Sequence, residues 1–208
     1  MKKLIFLFLS VLIVIMVPSC KGEEPAVEPE PYYPPMLNQS VVDLDKVINI
    51  KPYGETIALR IRRSSIRYIV SDALAPVKSV SVGIVDSVAY NSDPNYADYR
   101  VRIRASRNSL WYIIYNHVAQ VKVKAGDIVV AGTVLGSVGT GNLVDLQANK
   151  ISFESSGVKY ESTVCPSGLF HGTVSAAHDQ MISRLGISSQ LCSYGSVLPY
   201  YSEPWRQR

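Results

Sequence analysis

Three histidines, His117, His171 and His178, are the only imidazoles in this 208-residue chain. An imidazole near neutral pH serves as a general base or a metal ligand. His117 sits in the triplet Tyr115-Asn116-His117. His171 and His178 lie seven residues apart, close to two helical turns. His171 precedes the helix expected there and Gly172 intervenes, so these two are not expected to form a metal site. Asp43, Asp45, Asp93 and Asp98 are scattered through loops without the ligand periodicity of a calcium loop. No local signature supports a Ser-His-Asp or Cys-His nucleophile. Arginines form two groups. Arg60, Arg62, Arg63 and Arg67 occupy one strand region, and Arg100, Arg102, Arg104 and Arg107 another. If those strands pair, alternation gathers the guanidinium groups of Arg100, Arg102 and Arg104 on one face with others. Such a face is either solvated or binds carboxylates and phosphates.

The elements that position these residues are mostly strands. "RYIVSDALAPVKSVSVGIVDSVAY" spaces Val77, Val80, Val82, Ile84, Val85 and Val88 among small polar residues. "YRVRIRAS" alternates Arg100, Arg102 and Arg104 with Val101 and Ile103, and "LWYIIYNHV" is a nearly continuous apolar run. "NSDPNYAD" reads as a loop. One helix is expected, from about Ser175 to Leu185, with Ala176, Ala177, Met181, Ile182 and Leu185 on its apolar face and Gly186 closing it. Tyr200, Tyr201 and Trp205 mark an irregular tail expected to pack back on the domain. The class is therefore mainly β, with a short C-terminal helix.

The ends of the chain carry other signals. Lys2 and Lys3 precede the uncharged apolar run from Leu4 to Val17, which is shorter than the ~20 residues a spanning helix needs. Val17-Pro18-Ser19-Cys20 then resembles a bacterial lipobox. That resemblance implies lipidation at Cys20, with palmitate-type acyl chains holding the protein to a membrane. Residues 21–40 form a tether, with five of the chain's twelve prolines in its first fifteen residues. Its acidic start resembles surface-export signals, so the cell envelope is the expected location, at the outer membrane or cell surface rather than the inner membrane. From residue 41 onward the chain holds 18 basic and 13 acidic residues. That mild balance, with export, excludes nucleic acid as a partner. With Cys20 assigned to lipid, Cys165 and Cys192 remain, an even pair that an oxidising compartment favours as a disulfide. Sequence leaves two separate thiols open.

"VKAGDIVVAGTVLGSVG" places Gly126-Asp127 as a tight turn between short apolar strands and repeats the device at Ala131-Gly132. Gly136 and Gly139 allow bends or close strand approach. Such a stack occurs in barrel-sandwich hybrids, of which biotinyl/lipoyl carriers and LytM/M23 (lysostaphin-like) peptidase domains are two kinds. A carrier needs a lysine at the hairpin tip, whereas Lys122 and Lys124 precede the turn. Tyr115-Asn116-His117 before this turn, Gly139-Thr140-Gly141 after it, and Lys150-Ile151-Ser152-Phe153-Glu154 beyond resemble the M23 order of motifs. "APVKSVSVGIVDSV" resembles an upstream strand pair of that family. The resemblance spans Tyr68 to Glu154 and implies a LytM-type antiparallel β domain.

The same resemblance implies zinc chemistry, held by a His-x-x-x-Asp pair and the second histidine of His-x-His. On that pattern Ser152 stands where a ligand histidine belongs and Lys150 where a catalytic one does. Tyr68 and Asp72 stand for the first ligand pair. His117 alone matches, and no metal or cofactor is expected. The organisation read from the sequence is a signal over 1–20, a tether over 21–40, a β domain over 41–164 and an extension with one helix over 165–208. The expected function is a lipid-anchored envelope protein whose degenerate LytM-like domain binds peptidoglycan or regulates a cell-wall hydrolase. An atypical zinc metallopeptidase cutting peptidoglycan cross-bridges and a structural adaptor in an envelope complex are the alternatives.

Overall fold

The structure is a computed structural model describing residues 33–59, 61–91, 95–153, 155, 157–187, 190–193 and 197–198. The signal, Cys20, residues 21–32 of the tether and the aromatic tail residues Tyr200, Tyr201 and Trp205 lie outside the described residues.

Thirteen strands and one α-helix are described. The strands are β1 (Val47–Lys51), β2 (Thr56–Ala58), β3 (Ile61–Arg62), β4 (Ile66–Val70), β5 (Pro76–Lys78), β6 (Gly83–Tyr90) and β7 (Tyr99–Arg104). They continue with β8 (Trp111–Ala119), β9 (Ile128–Val129), β10 (Val134–Val138), β11 (Leu143–Phe153), β12 (Lys159–Val164) and β13 (Val197–Leu198). The helix α1 covers Gly172–Leu185. The main sheet runs β1-β4-β11-β8-β7-β6-β9, and β10 joins β5 to β8. Every named pairing is antiparallel. Only β2 and β3 stand apart, as a separate hairpin.

The long strand β11 organises the sheet. One of its edges is filled by β8 and the other by two strands in turn, β4 at its start and β12 at its end. Alternation sends Val144, Leu146 and Ala148 into the main core, where Tyr68 and Val70 of β4, Val101 and Ile103 of β7, and Ile113 and Tyr115 of β8 meet them. Tyr115 is fully buried, and its hydroxyl accepts a hydrogen bond from Val80 N at 2.8 Å. Burial pushes its phenol pKa up to about 12.

The glycine turns form as the sequence led one to expect. Gly126 and Gly132 have φ of 92° and 91°, the left-handed region that glycine enters without strain. The helix ends at Gly186, which caps it at φ 65°. Its start differs from the expectation: α1 begins at Gly172, three residues early, because His171 serves as N-cap and its ring accepts from Thr173 N. The domain also begins earlier than Val41. Leu37 is fully buried, and its backbone bonds to Leu169 and His171. The last residues of the expected tether thus belong to the folded body.

The C-terminal extension is fastened to the sheet in three ways. Cys165 and Cys192 form a disulfide with Cα atoms 6.1 Å apart. Arg184 of α1 donates to Leu44 O and Val47 O at 2.8 and 2.9 Å. His178, 1% exposed, reaches Tyr68 from the helix.

Candidate functional site

The residues around His117 owe their meeting to a bulge. Along β7 the pairing moves two residues, from Tyr99 to Val101, while β8 moves three, from Val118 to Tyr115. The extra residue on β8 falls at Asn116-His117, and His117 takes φ 62°. Few non-glycine residues adopt this conformation, and bulges commonly re-aim side chains beside functional sites. Core-facing residues accordingly switch from Tyr115 to Val118 instead of Tyr115 to His117. His117 is released to the opposite face.

There it meets four side chains. Nδ1 lies 3.0 Å from Oδ2 of Asp98, which is fully buried just before β7. Asn91 donates to the other Asp98 oxygen. Nε2 lies 3.4 Å from Nη2 of Arg67 and 3.8 Å from Asp145 Oδ2. Tyr96 tilts over the imidazole with ring centroids 4.3 Å apart. Arg67 and Asp145 are direct cross-strand partners on β4 and β11, and the guanidinium holds the carboxylate at both ends, Nε–Oδ1 2.7 Å and Nη2–Oδ2 2.8 Å. A two-point arginine–carboxylate pair is the strong form of this contact. The bond to Asp145 raises the Arg67 pKa above its already high ordinary value, with burial opposing.

Protonation roles follow from the donors. Guanidinium only donates, so His117 Nε2 accepts from Arg67 and Nδ1–H points to Asp98. The lone pair that a general base would use is thus covered by a permanent cation. A row of hydrogen bonds continues along the same face of β11: Ser64 Oγ to Gln147, Gln147 to Asn149 at 2.7 Å, and Asn149 to Glu161 of β12.

The five positions aligned on the M23 pattern are not brought together. Tyr68 faces the opposite side of β4 and is fully buried, its hydroxyl 3.0 Å from His178 Nε2. Burial raises its pKa far above the ordinary phenol value. Asp72 is exposed in the turn after β4 and accepts from Leu74 N at 2.9 Å. Lys150 pairs in register with Trp111 and Ser162, and Ser152 with Tyr160. The register puts Asp145 opposite Asn116. Lys150 and Ser152 are therefore roughly 16 and 23 Å farther along β11, at about 3.3 Å per residue. Hydrogen-bond register, not order of motifs, decides which residue of β11 meets His117.

The other two histidines have structural work. His171 caps α1. His178 bonds Val174 O through Nδ1 at 2.8 Å and stacks on Phe170 with centroids 4.4 Å apart. Its burial lowers its pKa.

The arginines also depart from the expectation. Arg67 and the β7 arginines do not share adjacent strands, because β11 and β8 lie between them. Arg100, Arg102 and Arg104 do share one face, and each is engaged there. Arg100 Nε donates to Asn116 Oδ1 at 2.6 Å. Arg102 and Arg104 pair with Asp86 at 3.4 and 2.7 Å, with their guanidinium carbons 3.5 and 4.3 Å from the Tyr112 ring centroid. Below them Tyr112, Ile114 and Ile151 form a second apolar cluster. The face is a covered layer, with arginine stems as its roof.

The zinc that the resemblance implies does not fit this donor set. A catalytic zinc needs about three protein donors and an open position. Here both Asp145 oxygens and His117 Nε2 face one guanidinium, and Asp98 is turned to the far ring nitrogen. Among the described residues no three His, Cys, Asp or Glu side chains are grouped so as to hold a metal ion.

Sequence reasoning placed Arg67 and Asp98 in other groupings and missed Asp145. A signal was present: Asp145 is a lone charge inside the apolar strand "NLVDLQA", and a buried carboxylate requires a partner.

Residues 66–162 match the model of peptidase family M23. No curated protein matches the chain. Among solved structures, lysostaphin in solution is similar at 19% identity over 65% of this chain and 56% of its own, with a TM-score of 0.48. The catalytic domain of lysostaphin from Staphylococcus simulans is similar at 20% identity over 60% of this chain and 92% of its own, with a TM-score of 0.46. Csd3 from Helicobacter pylori is similar at 18% identity over 72% of this chain and 39% of its own, with a TM-score of 0.48. The chain thus spans little more than half the length of lysostaphin and less than half that of Csd3. Residues 66–162 of this chain are thus similar to peptidase family M23.

Proposed function

We propose that this is a non-catalytic M23/LytM-like domain on an envelope-anchored lipoprotein, and that it binds peptidoglycan or regulates a cell-wall hydrolase. One observation carries the reading: the Arg67 guanidinium occupies both oxygens of Asp145 and faces His117 Nε2. A divalent cation brought to the same groups meets like-charge repulsion at close range in a poorly solvated site. The fixed charge also removes the free lone pair that water activation requires. What remains is a half-buried aromatic, Tyr96, beside a charged pair, suited to recognition without turnover. The anchoring part of the reading rests on the lipobox-like Val17-Pro18-Ser19-Cys20.

The test is co-sedimentation of the full chain with purified sacculi, beside the Tyr96→Ala variant. Retention of the chain, weakened by Tyr96→Ala and without release of soluble fragments, supports the reading. No retention of either protein turns attention to the hydrolase partner. Release of fragments contradicts the non-catalytic claim.

A further inference from the structure

The β2–β3 hairpin is the one named sheet element that stands outside the main sheet. It is closed at its base by Gly54 N to Arg63 O and Arg63 N to Glu55 O, both 2.8 Å, and by the Arg63–Glu55 ion pair at 3.1 Å. Every described residue of its two strands is exposed. Its sequence is nevertheless apolar at the tip: Ile57, Leu59 and Ile61 are 53%, 90% and 54% exposed. Three large aliphatics within five residues, uncovered, are a docking feature and not the scattered apolar surface of any protein.

The occupant is indicated by charge and by reach. Arg60, Arg62 and Arg63 interleave with or follow the aliphatics, against the single Glu55. Aliphatics set among arginines match an anionic lipid surface, where the apolar groups enter the acyl boundary and guanidinium groups stay with phosphates. The described chain begins at Tyr33, thirteen residues after Cys20. A chain of thirteen residues reaches at most about 45 Å, roughly one diameter of a domain this size. An anchored domain is thereby confined to the lipid surface, where a weak second contact gains from high effective concentration.

We infer that the Thr56–Arg62 hairpin is a second membrane contact, inserting Ile57, Leu59 and Ile61 into an anionic phospholipid surface. The inference rests on the anchored reading for its proximity and on the hairpin itself for its chemistry.

The experiment reads the hairpin directly. The full chain carrying Leu59→Trp is mixed with phosphatidylglycerol–phosphatidylethanolamine vesicles with and without brominated acyl chains. Ile128→Trp, on the far edge strand β9 and 79% exposed in the wild-type, is the control. The expected result is a blue shift and bromine quenching at position 59 and neither at position 128. Triple replacement I57S/L59S/I61S in the non-lipidated Cys20→Ser chain should weaken vesicle association by more than about tenfold, since loss of one aliphatic's full burial already reaches that factor. Vesicle-bound chain without quenching at position 59 overturns the hairpin contact and leaves the lipid anchor standing. Quenching that persists in Cys20→Ser supports the hairpin even if the anchor fails. A blue shift without vesicles, together with a dimeric mass, shows a second copy covering the hairpin and overturns the inference.

Discussion

Lowering pH should destabilise this protein through His178, and the size of the effect can be worked from its contacts. The residue is 1% exposed, its Nδ1 bonds Val174 O at 2.8 Å, and its Nε2 faces the Tyr68 hydroxyl at 3.0 Å. Nδ1 must donate to the carbonyl, so Nε2 accepts from Tyr68 and the ring is neutral. Burial, the largest influence, lowers its pKa below the ordinary 6.5. In the unfolded chain the same residue gains a proton as pH falls through 6.5, while in the folded chain it does not. The unfolded state then binds more protons, so stability falls with acidification. The contribution is fully present above the unfolded value and is lost downward from there until the folded pKa is reached. The slope approaches about 1.4 kcal/mol per pH unit within that window. His178→Phe removes the titrating group but orphans the Tyr68 hydroxyl, so Tyr68→Phe/His178→Phe is the cleaner variant. Urea unfolding across a series from neutral to acidic pH should give a wild-type midpoint that falls more steeply below the window's upper edge than the double variant's. Identical pH profiles would refute the assignment of this histidine as a buried neutral clasp.

Four further outcomes follow from the same geometry. R102S/R104S should lower stability by about 1–3 kcal/mol in urea unfolding, because the Asp86 pairs and the cover over Tyr112 are lost together. C165S/C192S should lose ~3 kcal/mol by opening a loop with a sequence separation of 27; alkylation with and without reductant should label the wild-type thiols only after reduction. Gly139→Ala places a methyl against Asp98 Oδ2 and the His117 carbonyl, so about 1–3 kcal/mol should be lost by overpacking, with a shifted His117 ring signal by NMR. Arg67→Ala strands the buried Asp145 carboxylate and should cost about 3–5 kcal/mol, whereas Arg67→Ala/Asp145→Ala should recover part of it.

The fold was legible where single residues dictate backbone shape. Gly126 and Gly132 mark turns that only glycine enters freely, Gly186 ends the helix, and the spacing of Val101 and Ile103 already separates two sheet faces. The site was less legible for physical reasons. Alternation says which residues share a face of a strand but not which strands adjoin. Thus the strand regions of Arg67 and Arg100 could have paired, although two strands separate them. The bulge at Asn116-His117 breaks alternation at the residue that matters most. Register along β11 depends on hydrogen bonding to β4 and β8 over residues 143–150, and no local motif reveals that Asp145 rather than Lys150 or Ser152 arrives at His117. The layer beneath the arginines was not legible either, because Tyr112 and Ile114 are seen to lie on the same side as Arg102 and Arg104 only once β7 and β8 are paired.

The central proposal is that the Arg67 guanidinium, held on both oxygens of Asp145 and facing His117 Nε2, leaves no catalytic metal site there. Digestion of purified sacculi by the full chain, with zinc added and soluble muropeptides quantified beside a His117→Ala control, tests it most directly. No release above background is expected from either protein. Release by the wild-type that depends on both zinc and His117 would contradict it and make this domain an active metallopeptidase.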